Sequence, residues 1–143
     1  MGQLDLQALA EAAIHARTLA YAPYSHFAVG AAVLTASGRI FPGGNIENAA
    51  YSLVMCAERV ALYSAYAAGE REIAAIAVVT PTDDVASPCG GCRQVIFELA
   101  PRSQVLLLNL RGDQRLTTPA KLLPHGFGPG QLDEAVRMGE RTG

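Results

Sequence analysis

Apolar residues first recur with a helical period: Leu6, Leu9, Ala10, Ala13 and Ile14 fall on one stripe within residues 5–21, with Asp5 placed to cap the first turn. The pattern predicts an amphipathic helix lying on a packed surface. Ala22-Pro23-Tyr24-Ser25 breaks it, and residues 27–35, rich in Val, Ala and Leu, read as a strand that a Ser37-Gly38 turn sends back over residues 39–41 as a hairpin. Residues 56–68 are helical and stop at Gly69. Residues 73–80 form a nearly unbroken apolar run, the pattern of a strand covered on both faces. A loop over 81–88, a helix over 90–99 and a second apolar strand over 104–110 follow. Past a turn at Arg111-Gly112-Asp113, the pattern predicts an edge strand over 115–118, a helical turn over 119–123 and a short helix over 131–138, with a tail that frays.

Strands alternating with helices predict the α/β class: a three-layer α-β-α sandwich around a mixed, mostly parallel five-stranded sheet, with the early hairpin strand antiparallel. The length, 143 residues with 50% hydrophobic, fits one domain over 1–143 with a sizeable core. A net charge of −2 without any run of Lys or Arg leaves no footprint for a nucleic acid polymer. No apolar stretch is long enough to span a membrane, and Met1-Gly2-Gln3-Leu4-Asp5 lacks the basic region and apolar core of a secretion signal. The expected location is the cytoplasm.

Chemistry concentrates on the three cysteines. An isolated Cys-x-x-Cys such as Cys89-Gly90-Gly91-Cys92 is equally a metal or a redox motif, and a lone cysteine such as Cys56 is often buried filler. Their conjunction is more specific. Met55-Cys56-Ala57-Glu58-Arg59 adds a third thiolate, a carboxylate and a guanidinium, making three ligands, one acid/base group and one counter-cation. Three protein ligands with an open fourth position mark a catalytic rather than a structural zinc site, and no fourth cysteine exists to close this one. Soft thiolates select zinc over magnesium, calcium or manganese.

A Cys-Ala-Glu followed by Pro-Cys-x-x-Cys is the pattern of the zinc nucleobase deaminases. Within them the chain resembles the small homotetrameric cytidine deaminases. Tyr24-Ser25-His26-Phe27, Gly30-Ala31-Ala32, Gly44-Asn45-Ile46-Glu47-Asn48-Ala49, the two zinc motifs, Leu122-Leu123-Pro124 and Phe127-Gly128-Pro129 follow that family's order.

The resemblance implies hydrolytic deamination of cytidine and deoxycytidine to uridine and deoxyuridine, in pyrimidine salvage. One Zn2+ per subunit would be held by Cys56, Cys89 and Cys92, with a zinc-bound hydroxide attacking C4 and Glu58 as proton shuttle. It further implies that Phe27 lines the pocket beside the pyrimidine and that Asn45 and Glu47 bond the ribose 3′-hydroxyl. Ala57 and Ser87 belong to the same substrate-binding set. Ala49, Tyr51 and Phe127 belong to it through pockets shared between subunits. Arg59 would bond the cysteine sulfurs. Several of these residues also have a plainer reading. Phe27 serves as a core aromatic, residues 43–48 as a solvated loop, Arg59 as a surface helix arginine and Phe127 as a packing cap.

Zinc with three thiolates carries one negative charge in excess, whereas water on a histidine-bound catalytic zinc has a pKa of about 7. Two helix N-termini, backbone N–H groups and Arg59 are the candidates to offset that charge. Glu58 stands two positions from Cys56, nearly opposite on a regular helix, so the pair converges only at a first turn. Two other classes remain at this point. One is a non-catalytic zinc module, which predicts a histidine as fourth ligand and Glu58 in solvent. The other is a deaminase of the same fold acting on another aminopyrimidine, against which Asn45-Ile46-Glu47-Asn48 argues.

Overall fold

The computed structural model describes residues 4–142. The reading of residues 1–3 as part of no secretion signal lies outside them. In chain order the elements are α1 (Leu6–Arg17), β1 (Gly30–Thr35), β2 (Ile40–Gly44), a 3-10 turn (Tyr51–Leu53), α2 (Ala57–Ala67), β3 (Ile73–Thr80), α3 (Gly90–Leu99), β4 (Gln104–Asn109), β5 (Gln114–Thr117), α4 (Pro119–Leu122) and α5 (Pro129–Thr142).

Local chemistry sets the boundaries. The Asp5 carboxylate accepts from the Ala8 N–H at 2.9 Å and starts α1. Gly69, at φ 83°, takes the left-handed conformation just past the end of α2. Pro119 sits in the first turn of α4 behind the Thr118 cap.

The sheet runs β2-β1-β3-β4-β5. Alternation along its central strands divides two apolar layers. Ile76 and Val78 of β3 with Val105 and Leu107 of β4 face α2 and α3, while Ala75, Ala77 and Val79 with Leu106 and Leu108 face α1. Helices thus cover both faces, as the sandwich requires. Leu62, Ile76 and Ile96 are fully buried in the first layer, each stabilising the fold by roughly 1.5–3 kcal/mol.

The α/β class and the mixed five-stranded sheet agree with the sequence, but the sheet is not mostly parallel. Among the described strands β3 pairs with β4 in parallel, and the other three pairings are antiparallel. The α2 crossover from β2 to β3 leaves β1 between them, antiparallel to both. The link from β4 to β5, with Gly112 at φ 89°, is too short for anything but a hairpin. Two boundaries also move. Gly43 and Gly44, expected in a loop, end β2, and α5 extends to Thr142, through the segment expected to fray.

Gly43 belongs to the strand for a packing reason. A Cβ there would stand 2.6 Å from the Ala57 carbonyl and 2.6 Å from the Ala61 nitrogen, so its absence lets α2 lie directly on the sheet. Close approach at that point brings the start of α2 to the ends of β2 and β3. There the site is built.

Candidate active site

Cys56 is the N-cap of α2 and Cys89 the N-cap of α3, with Cys92 in the first turn of α3. Two helix N-termini therefore converge on one point, each carrying roughly half a positive charge. The three sulfurs lie within 4.8 Å of one another, and those of Cys56 and Cys89 are 3.8 Å apart. Sulfurs bound about 2.3 Å from one tetrahedral zinc stand about 3.8 Å apart, so the donor set fits that ion in both chemistry and spacing. Among the described residues no histidine or carboxylate joins this cluster. The closed site expected of a non-catalytic module is not formed.

Two of the groups expected to offset the thiolates are in contact with them. The Cys92 N–H donates to the Cys89 sulfur at 3.4 Å, and Arg59 Nη2 donates to the Cys56 sulfur at 3.2 Å. Hydrogen bonding from the Cys92 thiol, then from Arg59 and Cys89, lowers the Cys56 pKa to about 5 despite its burial. The Cys92 thiol moves up in turn, because the proton it shares with Cys56 stays on it and burial disfavours its charge. Arg59 is held firmly protonated by Cys56. Its Nε is buried and meets no acceptor among the described residues.

Beside the sulfurs opens a cavity of about 300 Å³, lined by Phe27, Asn45, Ala57, Glu58, Ser87 and Cys89 among others. It lies at the C-terminal end of the parallel strand β3, where Val78 and Thr80 contribute walls. Open α/β sheets bind ligands at such ends. Glu58 lines it at 4% exposure, on the same side as Cys56, because both stand at the very start of α2. Burial, then the charge of Cys56, raises its pKa above the usual carboxylate range.

Asn45 is another wall of this cavity. Its Oδ1 accepts from the Val29 N–H at 2.9 Å, and its Nδ2 donates to the Phe27 carbonyl at 2.9 Å. His26, at φ 56°, turns the chain immediately before Phe27. Glu47 lines an adjoining cavity with Tyr24, Ser25, Asn48, Tyr51 and Val54. Its Oε1 accepts from the Tyr24 and Ser25 N–H groups at 3.0 and 3.1 Å, and its Oε2 from the Ser25 hydroxyl. These bonds, with the Ser25 hydroxyl first, hold its pKa below the usual range.

Four of the expected substrate-binding residues fall outside the main cavity. Glu47 and Tyr51 line the adjoining one, Tyr51 at 73% exposure; Ala49 is exposed in the bend after Glu47; Phe127 lines neither and is 56% exposed. Residues without an assigned role on sequence grounds also enter. Ser25 braces Glu47, and Arg93 bonds the Pro88 carbonyl through Nε at 2.8 Å and the Leu122 carbonyl through Nη1 at 3.0 Å, fixing the loop that carries Cys89. The signal for Arg93 was its place next to Cys92. Nothing in a serine two residues before Phe27 announced its partner.

A mixed α/β sandwich with three thiols and a buried carboxylate at two helix N-termini defines a zinc-dependent hydrolase. Residues 4–108 match the family described as the cytidine and deoxycytidylate deaminase zinc-binding region. A cytidine deaminase of Halalkalibacterium halodurans is 51% identical over 125 residues, covering 87% of this chain and 95% of its own. One of Sporosarcina psychrophila is 49% identical over 136 residues, covering 94% of this chain and 100% of its own. The crystal structure of cytidine deaminase from Burkholderia pseudomallei matches with a TM-score of 0.85 at 54% identity, covering 87% of this chain and 100% of that one. The chain belongs to the cytidine and deoxycytidylate deaminase family, and its Cys56, Cys89 and Cys92 are positioned to bind one zinc ion.

Proposed function

We propose that the chain deaminates cytidine and deoxycytidine hydrolytically to uridine and deoxyuridine, as a step of pyrimidine salvage. The observation that carries this reading is the buried Glu58 carboxyl, of raised pKa, beside the three sulfurs in a cavity of about 300 Å³. When bound, zinc supplies the Lewis acidity that makes water nucleophilic near neutral pH. Glu58 takes one proton of the attacking water and passes it to ring N3 of the pyrimidine. It then takes the second from the hydroxyl now on C4 and gives it to the amine, so that C4=O forms as the C4–N bond breaks and ammonia leaves. A carboxyl whose pKa is raised toward the working pH suits both directions of transfer.

Phe27 supplies a ring beside the pyrimidine, with Ala57 and Ser87 completing the wall around it. Asn45 and Glu47 read the sugar. An asparagine amide offers two N–H donors and two lone pairs, and Asn45 spends one of each on Phe27 and Val29. Glu47 uses three of about four acceptor positions on its neighbours. The remaining positions take the 3′-hydroxyl. The 2′ position goes unread, so both sugars are substrates.

The active unit is a homotetramer with shared pockets. Tyr51 and Phe127 are large, exposed and outside the main cavity of their own chain, and with Ala49 they are the groups a neighbour's pocket would take up. No described helix is long and apolar enough to cross a membrane. The three thiolates call for a reducing compartment, in keeping with the cytoplasm.

The test is an ultraviolet assay of kcat/KM for cytidine, deoxycytidine and cytidine 5′-monophosphate in one buffer. The cavity lining contains no lysine or arginine to meet a phosphate. The two nucleosides should turn over comparably and the monophosphate poorly. Equal values for the monophosphate would overturn the nucleoside assignment.

A further inference from the structure

The loop that carries Phe127 is fastened to α3 by its backbone, while its ring is left outward. Gln94 Nε2 donates to the Phe127 carbonyl at 2.8 Å. The Phe97 ring lies against the same loop: a Cβ added at Gly126 would come within 3.0 Å of its Cζ and 2.8 Å of Leu123 Cδ2, and one at Gly128 within 3.4 Å of Phe97 Cε1. At the far side the Gly128 N–H donates to Gln131 Oε1 at 2.7 Å, closing the loop onto the start of α5. The backbone of residues 126–128 is thus held on both sides. The Phe127 ring is not: it is 56% exposed and lines neither the cavity beside the sulfurs nor the one at Glu47.

Gln94 follows Cys92 by two positions, so a single turn of α3 carries a metal ligand and the fastener of this loop. Its amide bonds the loop and does not line the cavity beside Glu58. The bond restricts where the outward ring is presented.

We infer that Gln94 is a positioning residue that acts in trans: with Phe97 it sets the placement of Phe127, and so completes the substrate pocket of a neighbouring subunit rather than its own. The inference rests on the shared-pocket reading above and adds the residue that governs the shared element.

The experiment uses the zinc-loaded protein and hybrid oligomers. Gln94→Ala, and Gln94→Glu as a variant of the same shape without the donor, should keep full zinc content by elemental analysis. Loss of one hydrogen bond should raise KM for cytidine roughly 3- to 10-fold with kcat nearly unchanged. Each variant is then co-expressed with an excess of differently tagged Glu58→Gln chains, so that every working pocket receives its Phe127 from a chain with Gln94 intact. KM in the hybrids should return to the parental value. A KM that stays raised, or no KM change in the variants at all, overturns the proposal. Phe127→Ala in the same hybrids separates the two levels. If Phe127→Ala is rescued and Gln94→Ala is not, only the role of Gln94 falls. If neither is rescued, the shared pocket falls and the proposal with it.

Discussion

Ser25 and Glu47 are locked together: the serine hydroxyl donates to Glu47 Oε2, the serine N–H to Oε1, and the same hydroxyl oxygen accepts from the Phe27 N–H at 3.0 Å. One short side chain therefore joins the carboxylate proposed to read the sugar to the residue proposed to lie beside the base. The pair lies 22 residues apart in sequence.

Replacing Ser25 by Ala removes the largest influence holding the Glu47 pKa down. Its pKa should move up toward the ordinary carboxylate value, a change that an NMR titration of the side chain would record. A carboxylate with a depressed folded pKa contributes stability above its unfolded pKa and loses it as pH falls through the folded value. The variant should accordingly unfold at a higher pH on acidification. If Glu47 reads the sugar as proposed, KM should rise on the order of tenfold, since a hydrogen bond to this charged group is lost. An unchanged Glu47 titration would show that the backbone N–H groups of Tyr24 and Ser25 suffice.

The elements least dependent on distant partners were legible in the sequence. The Asp5 cap, the continuous apolar run of β3 and the Gly69 stop all came from local chemistry, and the three thiols came from spacing. Strand direction was not legible in the same way. The apolar runs of β3 and β4 mark burial on both faces, which an antiparallel neighbour permits as well once helices cover it. Gly43 reads as loop on composition because its reason, the backbone of α2 pressed against it, is 14 residues away in sequence at Ala57. Phe127 shows the limit. Its carbonyl has a partner in Gln94, while its ring is 56% exposed and lines neither cavity of the site.

Gly43→Ala tests the close approach directly. The added Cβ meets backbone atoms of Ala57 and Ala61, which have no side-chain freedom to yield. Overpacking of this kind costs about 1–3 kcal/mol, so the midpoint of thermal unfolding should fall. Because Ala57 follows the ligand Cys56, zinc should also dissociate faster in a competition with chelator. Parental stability would mean that α2 can lift from the sheet without disturbing its N-terminus.

Arg59→Gln removes the cation at the Cys56 sulfur while leaving a side chain that can still donate. In the metal-free protein the Cys56 pKa of about 5 is set first by the Cys92 thiol and then by Arg59. The variant should therefore show a thiolate titration shifted upward but still below the ordinary cysteine range. Zinc must displace the thiol proton, so uptake by the variant should weaken as pH falls below neutral, at a pH where the parent still binds. Ultraviolet thiolate absorbance and zinc titration at two pH values report the two effects. A parental titration would make the Cys92 thiol and the helix N-terminus sufficient to hold the Cys56 pKa down without Arg59.

Glu58→Gln separates the carboxylate from everything around it. Glutamine keeps the shape of a side chain that is 4% exposed, and Glu58 is not one of the clustered metal donors. Zinc content and thermal unfolding should stay close to parental. Stability should even gain slightly near neutral pH, because a carboxylate whose pKa burial has raised is less favourable in its charged form than in water. Turnover should behave differently. One general acid/base group contributes roughly 10²–10⁴-fold, and this one would serve at the attacking water, at N3 and at the departing amine, so the loss should reach the upper end of that range or pass it. The measurement is kcat for cytidine with zinc content determined on the same sample. A fully zinc-loaded variant with half the parental kcat would place the proton transfers on another group, and none of the other residues lining this cavity is a carboxylate or a histidine.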